Sequence, residues 1–140
     1  MEVIIRETQA PDYQGISKLL EDTNLVQSYF TADAFRRYIE RNKGFCFVAE
    51  VDGKIVGNIF GECDGAFKAY FGKLAVAESY RRKEIGTKLI DKFEGKADEL
   101  AIPLRYAHVE KTNEASIRLL ESRGFIIRKT HHLMDKGSPR

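Results

Sequence analysis

The stretch Leu74-Ala75-Val76-Ala77-Glu78-Ser79-Tyr80-Arg81-Arg82-Lys83-Glu84-Ile85-Gly86-Thr87 runs from an apolar strand through a basic turn into an amphipathic helix. That order aims several backbone N–H groups and the positive end of a helix dipole at one place, where a phosphate or pyrophosphate is the natural occupant. Arg81, Arg82 and Lys83 add cationic charge at the same point. A solvated basic turn opening a surface helix would use the same residues, so this stretch alone leaves both readings open. A second stretch, Asn113-Glu114-Ala115-Ser116-Ile117-Arg118-Leu119-Leu120-Glu121-Ser122-Arg123-Gly124-Phe125, reads as a well-punctuated helix. Asn113 suits the N-cap, Glu114 the first turn, and Gly124 the left-handed position past the C-terminus. Ile117 and Leu120 face a core, and Phe125 starts a strand.

Taken together, the two stretches resemble the GCN5-related N-acetyltransferases. The first is similar to that family's pyrophosphate turn, Arg/Gln-x-x-Gly-x-Gly/Ala, and the second to its Asn-x-x-Ala/Ser-x-x-Leu-Tyr-x-x-x-Gly-Phe helix. The resemblance implies that Arg81, Arg82, Lys83, Glu84, Ile85, Gly86 and Thr87 grip the pyrophosphate of acetyl-CoA. It also implies that pantetheine amides pair with the backbone of Leu74, Ala75 and Val76, and that Asn113 belongs to the cofactor-binding set. Two positions depart from the family pattern. Glu84 replaces the first glycine and brings a Cβ and a negative charge beside the anion; with its side chain turned to solvent, its amide would still donate. Leu120 stands where members commonly carry a tyrosine that protonates the leaving thiolate. Such a general acid contributes typically about 10²–10⁴-fold, so its loss slows transfer without forbidding it. Two functions are therefore implied: an acetyl-CoA-dependent N-acetyltransferase acting on a primary amine of a small molecule or protein, and, as the alternative, an acyl-CoA-binding module with little or no transfer.

Transfer to an amine needs a proton acceptor. Counting back from Asn113, His108 falls where several protein-modifying members carry a glutamate. A histidine titrates near neutrality and can take the proton, although a strand histidine bonded to backbone would look the same in sequence. Tyr106, His108 and Glu110 share one face of the strand they are predicted to form. Glu110, near the strand end, could act through water. Tyr70 is a poor base, and Glu62 sits in a hairpin arm where a solvated role is expected. His131 and His132 are adjacent, so at most one can point at a site. No second ligand at suitable spacing supports a metal. The acceptor side is expected from the first two helices and their loop, with Tyr29, Phe30, Phe35, Arg36, Arg37 and Tyr38. These aromatics could cage an amine or simply form core.

The elements that must position these residues follow from periodicity. Val3 to Arg6 is a short strand. Pro11 opens a helix that buries Ile16, Leu19 and Leu20. Thr31 caps a second helix carrying Phe35, Tyr38 and Ile39. Phe45 to Val51, Ile55 to Gly61 and Phe67 to Val76 are antiparallel strands turned at Asp52-Gly53 and Asp64-Gly65. The helix after the basic turn places Ile85, Leu89, Phe93, Ala97 and Leu100 on one face. Leu104 to Val109 returns parallel to the strand before that helix, by a right-handed crossover. After the Asn113 helix, Phe125 to Leu133 is expected to close the sheet. The fold class is mixed α/β: a central, largely antiparallel sheet with one parallel strand pair, which the resemblance implies is splayed, flanked by helices. Residues 1–136 form a single domain, and 137–140 a frayed tail.

Composition is consistent with this. The chain has 140 residues, enough for one domain with a real core. A net charge of +2 implies no general affinity for nucleic acid or membrane, and the local density at Arg81 to Lys83 suits a small anion better than a polymer. Cys46 and Cys63 lack CxxC spacing and no signal peptide is visible, so they read as buried thiols in a reducing, cytoplasmic compartment. Acetyl-CoA as cosubstrate, no metal, an amine acceptor as partner and an open question of homodimerisation complete the expectation.

Overall fold

In a computed structural model, residues 2–137 are described, and the chain divides into two compact units, Met1–His108 and Val109–Arg140. The first unit is built on a five-stranded sheet of order β1-β2-β3-β4-β5. The strands are β1 (Ile4–Glu7), β2 (Phe47–Val51), β3 (Lys54–Cys63), β4 (Lys68–Val76) and β5 (Leu104–Ala107). The first four pair antiparallel in sequence order, and β4 pairs β5 parallel over Lys68↔Leu104 to Phe71↔Ala107. A crossover helix, α3 (Ile85–Glu99), joins the parallel pair. Asp52 and Gly53 both take positive φ (49° and 77°), the two-residue turn whose twist matches a hairpin. At the second hairpin Asp64 Oδ1 accepts the N–H groups of Ala66, Phe67 and Lys68. That side chain takes the place of a backbone acceptor for these three amides.

Two helices precede the hairpins: α1 (Tyr13–Asp22) and α2 (Ala32–Arg41). Pro11 lies in a one-turn 3-10 segment leading directly into α1, and the Thr31 side chain caps α2 by accepting from Ala34 N at 3.2 Å. Ile16, Leu19, Leu20, Phe35, Val48, Phe60 and Ala75 pack as one cluster on this face of the sheet. The opposite face holds α3 through Ile85, Leu89, Ile90, Phe93 and Ala97, all buried. Gly61 allows this approach: a Cβ there would sit 2.7 Å from the Phe93 ring and 2.5 Å from the Phe45 carbonyl. Leu100 departs from the expected buried face and is 45% exposed. The helix stops one residue before it, because Ala101 turns left-handed (φ 56°) and Ile102 takes the core position instead.

The second unit contains α4 (Glu114–Ser122). Asn113 caps it through Oδ1, accepting from Ser116 N at 3.2 Å. Gly124 (φ 90°) ends it, with Gly124 N donating to Glu121 O and Phe125 N to Leu120 O, the Schellman pattern. The expected closing strand from Phe125 to Leu133 does not form. Ile126 and Ile127 are adjacent, 65% and 58% exposed, and the polar run Arg128 to His132 follows. Such a pattern offers no alternating apolar face to seat a strand. The predicted strand Leu104 to Val109 likewise stops at Ala107. Of the expected tail, residues 138–140 lie outside the described residues.

Candidate active site

β4 is longer than its parallel neighbour. Beyond Phe71↔Ala107 it pairs only with β3, through Gly72↔Phe60, Ala75↔Asn58 and Val76↔Gly57. Between Gly72 and Ala75 it carries one residue more than β3, a bulge with Lys73 in the left-handed region (φ 51°). The buried Asn58 secures the bulge by donating from Nδ2 to the Lys73 carbonyl at 3.0 Å. Lys73 in turn sends Nζ to the carbonyl of Leu25, 2.8 Å away in the α1–α2 loop. The main chain of Leu74, Ala75 and Val76 therefore has β3 on one side and no strand on the other, within this unit.

This open segment leads into the basic turn. Arg81 is extended (φ −70°, ψ 159°), Arg82 is left-handed (φ 65°), and Glu84, the N-cap of α3, is left-handed as well (φ 62°, ψ 18°). Alternation of this kind gathers successive N–H groups into a concave anion nest. The ladder of α3 begins with Lys88 N donating to Glu84 O, and no side chain caps the first turn. Glu84 thus keeps the backbone conformation in which a glycine would be unstrained, while its side chain is exposed. Arg81 is turned back, its Nε donating to Val76 O at 3.1 Å. Arg82 and Lys83 are exposed and carry no ion pair among the described residues. Ile85 is buried and offers main chain only, and Gly86 and Thr87 follow it in the first turn.

The face toward α2 carries a lateral row of side chains. Glu62 of β3 is the register partner of Tyr70 in β4, and Tyr70 of Tyr106 in β5. Tyr38 of α2 reaches over the row and donates its hydroxyl to Glu62 Oε2 at 3.0 Å. The Tyr70 and Tyr106 ring centroids are 5.3 Å apart, and the exposed His108 ring lies 5.0 Å from Tyr70 and 6.1 Å from Tyr106. Tyr70 folds back along its own strand: a Cβ on Gly72 would come within 2.6 Å of the Tyr70 hydroxyl. The phenol therefore lies toward the bulge and the unpaired length of β4. An open depression of about 510 Å³ is lined by this row together with Arg41, Asn42, Cys63, Asp64 and Lys68. Burial raises the Tyr38 phenol above its ordinary value, assisted by the neighbouring Cys46 and Glu62, and burial beside Glu62 does the same to Tyr70. Both phenols therefore stay protonated donors through the neutral range.

Of the predicted catalytic residues, His108 follows directly on β5 and stands in this cluster. The strand ends too early for its alternation to extend to Glu110, which lies in the second unit with an exposed side chain. There the Glu110 carbonyl accepts from Asn113 N at 2.9 Å. The Asn113 side chain is engaged in capping α4. His131 and His132 sit in irregular chain rather than a strand. Among the described residues no cluster suits a metal. Cys46 is buried and pushed up to about 12, chiefly by that burial, so it is a weak nucleophile. Sequence reasoning passed over Tyr38, Glu62, Gly72 and Tyr106 as a constellation. The signal was the hairpin: a turn of fixed length at Asp64-Gly65 sets Glu62 opposite Tyr70.

Residues 5–125 match the family model described as acetyltransferase (GNAT) family. Human N-alpha-acetyltransferase 30 is 32% identical over 129 residues, covering 86% of this chain and 33% of that protein. The chain thus spans about a third of the length of that relative. Ard1 from Thermoplasma volcanium superposes with a TM-score of 0.81 at 26% identity, over 91% of this chain and 85% of that one. The NatC complex bound to Gag peptide and CoA shares the fold, with a TM-score of 0.79 at 23% identity over 92% and 87% of the respective chains.

Proposed function

The chain belongs to the acetyltransferase (GNAT) family, and from that premise we propose that it transfers an acetyl group from acetyl-CoA to the primary amine of a small molecule or protein. One observation carries the donor half: an unpaired length of β4 runs straight into a nest of left-handed residues at the N-terminus of α3. Leu74, Ala75 and Val76 offer main chain to the pantetheine arm; the turn from Arg81 to Thr87 offers amides and the charges of Arg82 and Lys83 to the pyrophosphate. When bound, the cosubstrate supplies an activated thioester. The protein's own part is to hold that thioester beside the tyrosine row, to receive a proton and to give one.

We assign His108 to receive the amine proton. Its ring is open to solvent, and the contacts with Tyr70 and Tyr106 orient it. The Tyr70 hydroxyl, kept protonated by burial and laid over Gly72, is the group placed to give a proton to the departing sulfur. That role is the one Leu120 cannot fill. An acceptor that arrives as an ammonium first gives one proton to solvent. The neutral amine then attacks, the N–C bond forms as the C–S bond breaks, nitrogen passes a second proton to His108, and sulfur takes one from Tyr70, which is reprotonated from solvent. Glu110 and Asn113 belong to the second unit and are given no role in the site of the first.

Calorimetry with CoA, paired with a thiol-release assay over a panel of amines, tests this reading. Saturable binding that weakens with salt and amine-dependent thiol release are expected. Loss of release in His108→Ala and Tyr70→Phe with CoA affinity retained would support the assigned roles. Absence of CoA binding at millimolar concentration in a folded sample would remove the cofactor assignment. Binding without release for any amine would favour an acyl-CoA-binding module.

A further inference from the structure

We propose that the acceptor is an amine that also carries an anionic group: the amine sits at the Glu62 end of the depression, and Arg41 and Lys68 hold the anion. The proposal rests on the transferase reading above and narrows its substrate class. The depression is lined by charges of both signs. Glu62 offers Oε1 to a ligand, its Oε2 being engaged by the Tyr38 hydroxyl. Asp64 is occupied by its turn, where three backbone N–H groups on Oδ1 hold its carboxyl below the usual range. Arg41, the last residue of α2, and Lys68, the first of β4, form no ion pair among the described residues. Arg36 on the same helix, by contrast, is paired with Asp33 at 2.9 Å.

A purely cationic acceptor, such as a polyamine, would meet Arg41 and Lys68 in the depression, with the neighbouring Asp64 offsetting part of the Lys68 charge. A purely anionic molecule would meet Glu62. A molecule with an amine and an acid a few bonds apart satisfies both ends, and the aromatic floor of Tyr70 and Tyr106 suits the ammonium form in which it arrives. Two sources share this chemistry: a free acidic amino acid, and a peptide whose second residue is acidic.

The test compares kcat/KM from thiol release for C-terminally amidated Ala-Asp and Ala-Asn peptides, and for free aspartate against its diamide, which lacks both carboxylates. Wild type should favour the acidic member of at least one pair by about tenfold, the effect of one hydrogen bond between charged groups. The responding pair identifies the source, and the preference should shrink with added salt. The double variant Arg41→Glu, Lys68→Glu should abolish the preference and shift it toward an Ala-Lys peptide. Wild type that acetylates both members of each pair equally would overturn the proposal while leaving the transferase reading intact. A double variant that keeps the acidic preference would overturn it too. Wild type that binds CoA yet releases thiol with no amine would overturn both.

Discussion

At the scale of single residues, Gly72 and Glu84 show why side-chain identity was a partial guide. Gly72 looks like an ordinary strand glycine, yet it clears the space that the Tyr70 hydroxyl occupies. Gly72→Ala should displace that phenol and lower turnover by about 10²-fold, the usual cost of a misplaced group, with CoA affinity unchanged. In a Tyr70→Phe background the same substitution should cost little more, and a double-mutant cycle on kcat measures the coupling. Glu84 stood out in sequence as a departure from a glycine pattern, but composition says nothing about φ. The left-handed backbone it adopts costs a non-glycine residue roughly 1 kcal/mol. Glu84→Gly should therefore raise the thermal midpoint and, by removing an anion beside the nest, tighten CoA binding; calorimetry and a melting curve check both. The Glu62–Tyr70–Tyr106 row could not be read residue by residue, because it exists only through strand register.

Among the elements, those with local instructions were legible. Thr31 and Asn113 cap helices as their types require, Asp52-Gly53 makes its turn, and α3 buries the apolar face its spacing predicts. The parallel β4–β5 pair followed from the crossover rule. What failed depended on partners at a distance. Phe125 to Leu133 has β-favouring residues, but strands form by pairing, and this run lacks an alternating face to place it. Leu100 was lost to a helix end that sequence did not mark, because Ala101 rather than glycine takes the left-handed position. Ala101 N donates to Asp98 O and Ile102 N to Ala97 O, the same closure that Asn24 gives α1 and Gly124 gives α4. Ala101→Gly should stabilise the protein by about 1 kcal/mol, relieving a Cβ that this conformation disfavours. Urea denaturation would register the gain as a higher midpoint with an unchanged slope.

At the scale of the molecule, the near-neutral charge of +2 hides one consequential cluster. Arg6 joins β1 to the start of α1 and to β2, binding Asp12 at 2.8 and 2.9 Å and Glu50 at 2.9 and 3.1 Å. Burial pushes the Asp12 carboxyl upward, but the Arg6 guanidinium and the Gln9 N–H outweigh it and hold the group below its ordinary 3.8. A depressed carboxyl favours the fold above that ordinary value, and its contribution fades as pH falls through the folded-state value. Asp12→Asn should thus cost about 2 kcal/mol at pH 7, in the range of hydrogen bonds to charged groups. Acid titration of stability should show the two proteins converging as pH falls well below the ordinary carboxyl value. The Lys73–Leu25 bond has a consequence of another kind, in time. Thr23 and Asn24 are bonded back onto α1, while the segment between Leu25 and Phe30 is anchored at its ends, by Lys73 Nζ to Leu25 O, Leu25 N to Leu20 O and Tyr13 Oη to Phe30 O, with both end side chains packed on the core. Breaking the Lys73–Leu25 bond frees a half-buried amine to hydrate, so the loop opens without unfolding the strands beneath it. Its amides should exchange with solvent far sooner than those of β3, and openings on the microsecond-to-millisecond scale would set the clock for acceptor entry and product escape.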